Sequence, residues 1–472
     1  MTYLYGAAVQ GIQSFIFKTN ELRDIAGASE LVEKICTTLF LETLGKQNEK
    51  KWKDDHQVIA AAGNVKYILN EEECRKAVRF FPKAVMCEAP GITISQAVVE
   101  MGGNFKNSIN LLEKKLHETR NRPAIPINLG LLGMLRAPRT GLPAIDYKDG
   151  NPIDEATRAK NNNNELRQLC KKSFGFDVKH DQIAYDIKDL TNGNDWIAII
   201  HADGNGLGRV VQEVGCDKEK YKQFSKNLDE ATKMSAQAAF NAVKNKFDNN
   251  KHIPIRPVVL GGDDMTAIIR GSLACDYVKK YLAEFEYNTK EKLDGLLPNG
   301  MKHLTACAGI AFIKSSYPFY YGYNLAEELC GEAKKISDRK DSCMMFHKVQ
   351  DSFVTGYDDI VRRELSIDGK PILKYGPYFL NKEDGLMSID DLQELCQQLA
   401  KADNQGIKTG IRRWLTSLHE GKGVALQMLD RLKEVHGNKE LINKLTNNRA
   451  QDDAVAAADT LSLFTIMNQK TR

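Results

Sequence analysis

Apolar and polar positions run along the chain in two similar series. In the first, Tyr3 to Val9 reads as a short strand and Gly11-Ile12-Gln13-Ser14-Phe15-Ile16-Phe17 opens a helical stretch. Leu22 to Phe40 then carries Leu31, Ile35, Leu39 and Phe40 at helical spacing, which marks one apolar face. Val58 to Leu69 is a pair of apolar runs about the small-residue turn Ala61-Ala62-Gly63-Asn64. In the second series the spacing predicts a strand over 196–201, a helix from Lys220 to Phe247, a hairpin over 257–269, a helix over 273–291, a strand over 304–313 and a helix over 322–337. A β-α-β-β-α-β order is ferredoxin-like. It leaves one helix over, or pairs that helix with a further strand that the pattern does not reveal.

Laid over Val258 to Ile269, the first turn, Ala61 to Asn64, falls on Gly261-Gly262-Asp263-Asp264. This predicts an internal duplication in which the first copy lacks carboxylates. Between the copies, Pro123 to Asn164 reads as loop-rich, and the polar tract Asn161 to Asn164 as an exposed connection. After Arg362 a short β-rich segment holds a hairpin signal at Asp368-Gly369. From Ser388 onward the pattern predicts helices over 389–401, 405–418, 424–436, 439–447 and 451–467, suited to a small bundle. The expected class is α+β: two ferredoxin-like units with a C-terminal helical bundle. The expected limits are 1–122, 123–191, 192–350 and 351–472.

A length of 472 residues exceeds one ordinary core and fits this division. The net charge of +4 is small for such a length, so bulk charge does not argue for non-specific nucleic-acid binding. The N-terminus lacks the pattern of a signal peptide, and no apolar run is long enough to span a bilayer. The ten cysteines form no Cys-x-x-Cys pair, which argues against structural zinc. A cytoplasmic location with reduced thiols and no membrane association is therefore expected.

The candidate chemistry lies at two turns. Trp196-Ile197-Ala198-Ile199-Ile200 leads into Asp203-Gly204-Asn205-Gly206-Leu207-Gly208, and Pro257-Val258-Val259-Leu260 leads into Gly261-Gly262-Asp263-Asp264. Sheet pairing can bring Asp203 beside Asp263 and Asp264, giving a hard oxygen site of the kind that holds Mg2+ or Mn2+ against phosphates, as in a polymerase or cyclase palm. Asp203 and Asp263 are the expected metal ligands, with Asp264 a ligand or a close partner. Gly204, Gly206, Gly261 and Gly262 would let backbone approach a nucleotide, since glycine carries no Cβ, and Asn205 between the first two is a further candidate nucleotide contact. The helix that follows could direct free N–H groups at phosphate. Lys334 is a candidate triphosphate contact, and a solvated helix lysine is the plain alternative. Gln13 and Ser14 could touch a nucleotide, though capping or surface placement serves equally well. His180-Asp181, in a polar stretch, reads as a solvated pair, and His201 is assigned no role.

Taken in order, these motifs resemble the large, polymerase-like subunit of type III CRISPR effector complexes. Gly11 to Ile16 with Leu22-Arg23-Asp24-Ile25-Ala26-Gly27-Ala28-Ser29 is similar to that family's opening palm signature, and Arg139-Thr140-Gly141-Leu142-Pro143-Ala144 to its inter-palm segment. Asp203 to Gly208, Gly261 to Asp264, Ala308-Gly309-Ile310-Ala311 and Ala333-Lys334 follow its catalytic palm. The resemblance implies synthesis of a cyclic oligonucleotide, a cyclic oligoadenylate made from ATP, in antiviral defence. One palm would bear Mg2+ or Mn2+ and the other would help hold a second nucleotide. No His-Asp nuclease segment precedes Tyr3, and the family's inter-palm cysteine cluster is missing. A compact or standalone form is therefore expected. The implied partners are nucleoside triphosphates, a second copy or small CRISPR-type subunits, and guide and target RNA. Two other readings stand beside this one: a structural or nucleotide-sensing subunit of an RNA-guided complex, and a diguanylate-cyclase-like enzyme.

Overall fold

The computed structural model describes residues 1–472 except 62, 103, 123–131, 164–166, 192–195, 216, 248–251, 352–355, 382–384, 450–451 and 469–472. The first unit is an antiparallel sheet of β1 (Thr2–Gln10), β2 (Gln57–Ala61), β3 (Asn64–Asn70) and β4 (Thr93–Glu100), in the order β2-β3-β1-β4. The Leu22–Lys34 helix follows β1, and the Glu71–Glu88 helix follows β3, started by an Asn70/Glu73 capping box. A short hairpin of β5 (Asp146–Lys148) and β6 (Asn151–Ile153) comes next. The second unit contains β7 (Trp196–Gly204), β8 (Ile255–Gly261), β9 (Asp264–Arg270), β10 (Ala306–Lys314), β11 (Cys343–Lys348) and β12 (Tyr378–Phe379). Their order is β12-β11-β10-β7-β9-β8. The Lys218–Val243 and Ala274–Lys292 helices make its crossovers.

Each unit therefore contains the ferredoxin-like order, with the first strand of the unit between its third and fourth. The duplication extends to the register of the hairpins. In both, the pairing slips at one residue of the outer strand, between Gln57 and Ile59 in the first and between Pro257 and Val259 in the second. The turns then close on Ala61 opposite Asn64 and on Gly261 opposite Asp264. On the neighbouring strand, Ala7 faces Val65 as Ala202 faces Met265. Ala8, Gly63 and Asn64 thus occupy the places of Asp203, Asp263 and Asp264.

The apolar run of β7 has no polar face to offer water, so the sheet is covered on both sides. Trp196, Ala198, Ile200 and Ala202 face the crossover helices and the C-terminal helices. Ile197 and Ile199 face the Phe319–Ile336 helix and join a core shared with the first unit, including Tyr5, Phe40 and Tyr67. Phe17 stacks on Tyr323 at 5.0 Å between ring centroids, and Phe319 N–H donates to Asn20 Oδ1 at 2.7 Å. The other face of the first sheet, with Leu4, Ile68 and Phe105, joins the core of the crossover helices, so the two units are docked through buried contacts on both faces.

The unassigned helix is resolved by β11, which lies parallel to β10 beyond the Phe319–Ile336 helix. Three expectations need correction. The polar tract ending near Asn164 is helical over Glu155–Asn163, because the helix buries Thr157 and Lys160 against the Leu22–Lys34 helix. The signal at Asp368-Gly369 makes a left-handed turn with one bridge, Ile367 to Lys370, and no flanking strands. The Tyr357–Arg363 helix precedes it, unforeseen. The C-terminal helices are Ile389–Ala400, Gln405–Leu418, Lys422–Val435, Lys439–Thr446 and Ala457–Met467, close to expectation except that the last starts later.

Candidate active site

Asp203 is the penultimate residue of β7, and Asp264 opens β9 beside it, with Asp263 in the turn between β8 and β9. One carboxylate oxygen from each of the three lies within 4.8 Å of the others. Two glycines make this possible. Gly262 adopts φ +63 at the turn, a region where a side chain is strained. A Cβ on Gly204 would stand 2.9 Å from the Asp263 Cβ, so only glycine lets the two chain segments approach so closely.

Burial and mutual repulsion hold Asp263 and Asp264 towards their protonated forms. Asp264 is pushed up to about 7, first by burial and then by Asp203, against which Lys334 works. Asp263 is raised well above the ordinary carboxylate value by burial, Asp264 and Asp203. Lys334 reaches over from the Phe319–Ile336 helix and donates to the Asp203 carboxylate and, at 2.8 Å, to the Gly204 carbonyl. Glu327, on the same helix, is also raised by burial, Glu328 and Asp203. The donor set is all hard oxygen with excess negative charge, and it fits a hard divalent cation.

A cleft of about 1010 Å³ opens at Asp263 and Asp264. Gly261 to Asp264 and Leu207 line one side, and β2, Asn64 and Lys66 of the first unit line the other. The Lys218–Val243 helix forms part of the wall and grips the turn. Thr232 Oγ1 donates to the Gly262 carbonyl at 2.6 Å, and Asp229 Oδ1 accepts from Gly262 N–H at 3.3 Å. Lys172 donates to the Leu260 carbonyl at 2.7 Å and to Asp229 at 3.2 Å, and lies 3.7 Å from Glu33. Burial lowers the Lys172 pKa, but Glu33 and Asp229 outweigh it and leave the ammonium more firmly charged than usual. These residues lie 30–88 positions from the backbone groups they hold, and no local signal marks them.

The other expected residues fall into different places. Gly206 starts the Leu207–Val214 helix in a left-handed conformation, and Leu207, next to it, lines the cleft. The Asn205 side chain points inward, with Nδ2 donating to Thr305 Oγ1 at 3.0 Å and to the Asp341 carbonyl at 3.3 Å. It braces the loop from within. Gln13 donates to Tyr323 OH at 3.4 Å in the seam between the units, and Ser14 bonds back to the Gly11 carbonyl. His201 is half-buried and hydrogen-bonded to Thr266, and desolvation of its ring lowers its pKa to about 4. His180 and Asp181 are exposed.

Residues 196–344 match the family model described as Cas10/Cmr2, second palm domain. This segment is a Cas10/Cmr2-type palm. The resemblance to the large palm-domain subunit of type III CRISPR complexes is borne out on that segment, and the carboxylates lie within it. Solved structures extend the Cas10-like fold over the chain. A Csm1–Csm4 cassette in complex with pppApA is 14% identical, with a TM-score of 0.61 over 99% of this chain and 69% of that one. A cassette in complex with cA3 is 15% identical, with a TM-score of 0.59 over the same shares. Csm1 in T. onnurineus gives the same identity, score and coverage as the cA3 complex. No curated protein sequence matches. Among the described residues no helix is long and apolar enough to cross a membrane.

Proposed function

We propose that this chain is a metal-dependent nucleotidyltransferase that joins ATP into a cyclic oligoadenylate. The observation that carries the reading is the convergence of Asp203, Asp263 and Asp264, the last two lining a cleft whose far wall is the matching hairpin of the first palm. Mg2+ or Mn2+ bound there would supply charge neutralisation at the triphosphate and activate the attacking hydroxyl. The chain's own residues do the rest. Gly204, Gly206, Gly261 and Gly262 keep backbone close to the donor nucleotide, and Lys334 offers an ammonium to its phosphates. Lys53, Asn64 and Lys66 hold the acceptor nucleotide across the cleft, and the acceptor's ribose hydroxyl displaces pyrophosphate.

Related Csm1–Csm4 cassettes in complex with AMPPNP, cA3 and cA4 support adenine as the base. The same relatives support a Csm4-like subunit as partner, and the reading extends, from the resemblance alone, to guide and target RNA. In this reading the first palm, 1–122, and the catalytic palm, 192–350, share the work, joined by 123–191 and backed by 351–472.

Incubation with each ribonucleoside triphosphate and Mg2+ or Mn2+, followed by mass analysis, tests the reading. Adenine products are expected, and Asp203→Ala or Asp263→Ala should abolish them while leaving the fold intact. Near-normal synthesis by Asp263→Ala would overturn the site assignment. Absence of pyrophosphate release with any nucleotide, metal or activating RNA would leave a structural or sensing subunit instead.

A further inference from the structure

Between the palms runs a short helix, Gln168–Phe174, and it is pinned from both sides. Glu30, on the first palm's Leu22–Lys34 helix and 2% exposed, accepts from the Gln168 and Leu169 N–H groups at 3.1 and 3.2 Å. Those N–H groups open a helix and have no partner within it, so a carboxylate there satisfies them and suits the helix dipole. Near the other end, Gln237 of the second palm's Lys218–Val243 helix donates to the Lys172 carbonyl at 3.0 Å. The Lys172 side chain repeats this bridge in ionic form. Its ammonium stands between Glu33 of the first palm, at 3.7 Å, and Asp229 of the second, at 3.2 Å.

Each of these two carboxylates neighbours the support of one hairpin turn. Asp229 accepts from Gly262 N–H, and Lys172 itself donates to the Leu260 carbonyl. Cys36, one helical turn on from Glu33, is hydrogen-bonded to the Gly63 backbone. Gly63 and Gly262, at φ +80 and +63, belong to the matched turns of the two palms. One ammonium thus lies between the supports of both. A buried ion triad adds little stability over packed hydrocarbon. What it supplies is register, because two carboxylates that must meet one ammonium cannot slide past each other. Among the described residues, Asp229 lines the cleft and Lys172 does not, so Lys172 acts on a nucleotide only through the turns.

We propose that Lys172 is a positioning residue that fixes the span between the two turns, and with it the distance from acceptor hydroxyl to donor triphosphate. A misplacement of about 1 Å between reacting groups costs up to about a hundredfold in rate. The catalytic half of the proposal rests on the synthase reading, and the mechanical half does not.

The full chain is compared with Lys172→Met, Glu33→Gln, Lys172→Arg and, as control, Lys171→Met at the exposed neighbour, each at a temperature where it is folded. Hydrogen exchange read by mass spectrometry needs neither metal nor nucleotide. In Lys172→Met, segments 28–39 and 257–264 should both exchange about tenfold faster, while the helices over 405–435 stay unchanged. Lys171→Met should match the unmodified chain throughout. Glu33→Gln leaves the Leu260 and Asp229 contacts in place, so it should quicken 28–39 alone. With ATP and Mn2+, kcat should fall about tenfold in Lys172→Met and about threefold in Glu33→Gln at nearly constant KM, and Lys172→Arg should recover most of the loss. Unchanged exchange at 257–264 in Lys172→Met would overturn the proposal. So would a uniform rise that includes 405–435, the mark of lost stability alone. Normal kcat in both Lys172→Met and Glu33→Gln would refute the catalytic half. If the exchange pattern holds and the unmodified chain makes no product, the synthase reading fails and the clamp remains.

Discussion

Gly262 has both of its backbone polar groups held by one helix, and this fixes where Asp263 can point. Thr232→Val keeps shape but removes the 2.6 Å bond to the Gly262 carbonyl, leaving that oxygen short of a partner. The expected cost is about 1 kcal/mol of stability, read by denaturant titration. A fall in turnover larger than that loss explains, restored by Thr232→Ser, would mark Thr232 as a positioning residue. Equal kcat in Val and Ser variants would deny it that role. A second prediction concerns pH. Asp264 titrates near 7 in the folded chain, above its unfolded value near 4. The folded state then holds the proton more tightly, so this contribution to stability is full below about pH 4 and is lost as pH rises through about 7. Without divalent cation, Tm should fall from about pH 5 to about pH 8, and less steeply in Asp264→Asn. Because metal binds the ionised form, Mg2+ or Mn2+ should raise Tm more at about pH 8 than at about pH 5. Equal increments at both would show that proton and metal do not compete there.

Between elements, the closest packing is the crossing of the Leu22–Lys34 and Glu155–Asn163 helices. A Cβ on Gly27 would lie 1.8 Å from the Lys160 carbonyl, and Lys160 Nζ donates to the Phe15 carbonyl at 2.5 Å. Gly27→Ala should therefore push the helices apart and cost about 1–3 kcal/mol, measured by denaturation. Wild-type stability would mean that the inter-palm helix is not anchored there. The same crossing shows where sequence reading stops. Asn161 to Asn163 look solvated because local polarity is all that a sequence window displays, whereas the helix buries its other stripe against a glycine more than a hundred residues away. Cys343-Met344-Met345-Phe346-His347-Lys348 escaped notice for a related reason: it lacks the β-branched residues that advertise a strand, and β10 supplies its pairing. The two turns were legible because glycine and aspartate act locally on the backbone. The grip of Lys172, Asp229 and Thr232 on one of them was not, since it exists only after folding.

At the scale of the molecule, the cleft is bounded by two palms of one backbone plan and unequal chemistry. Asn64→Ala should leave divalent-metal affinity at Asp203, Asp263 and Asp264 unchanged, while raising KM for the acceptor nucleotide. Complete loss of metal binding in that variant, by calorimetry, would mean that the first palm contributes to the metal site after all. The matched hairpins also bear on descent. Val9 stands where the second palm has Gly204, and its Cβ lies 3.4 Å from the position a Cβ on Gly63 would take, with Ile12 Cδ1 nearer still at 2.5 Å. The first palm is thus filled with hydrocarbon as well as lacking the acids. Reinstating aspartates at Ala8, Gly63 and Asn64 would drive carboxylates into packed hydrocarbon. Metal stoichiometry should remain that of the unmodified chain, and stability should fall. The asymmetry of the pair is self-sustaining: with aliphatic side chains in the cradle, three acidic substitutions do not make a second metal site, and the two halves are committed to separate work.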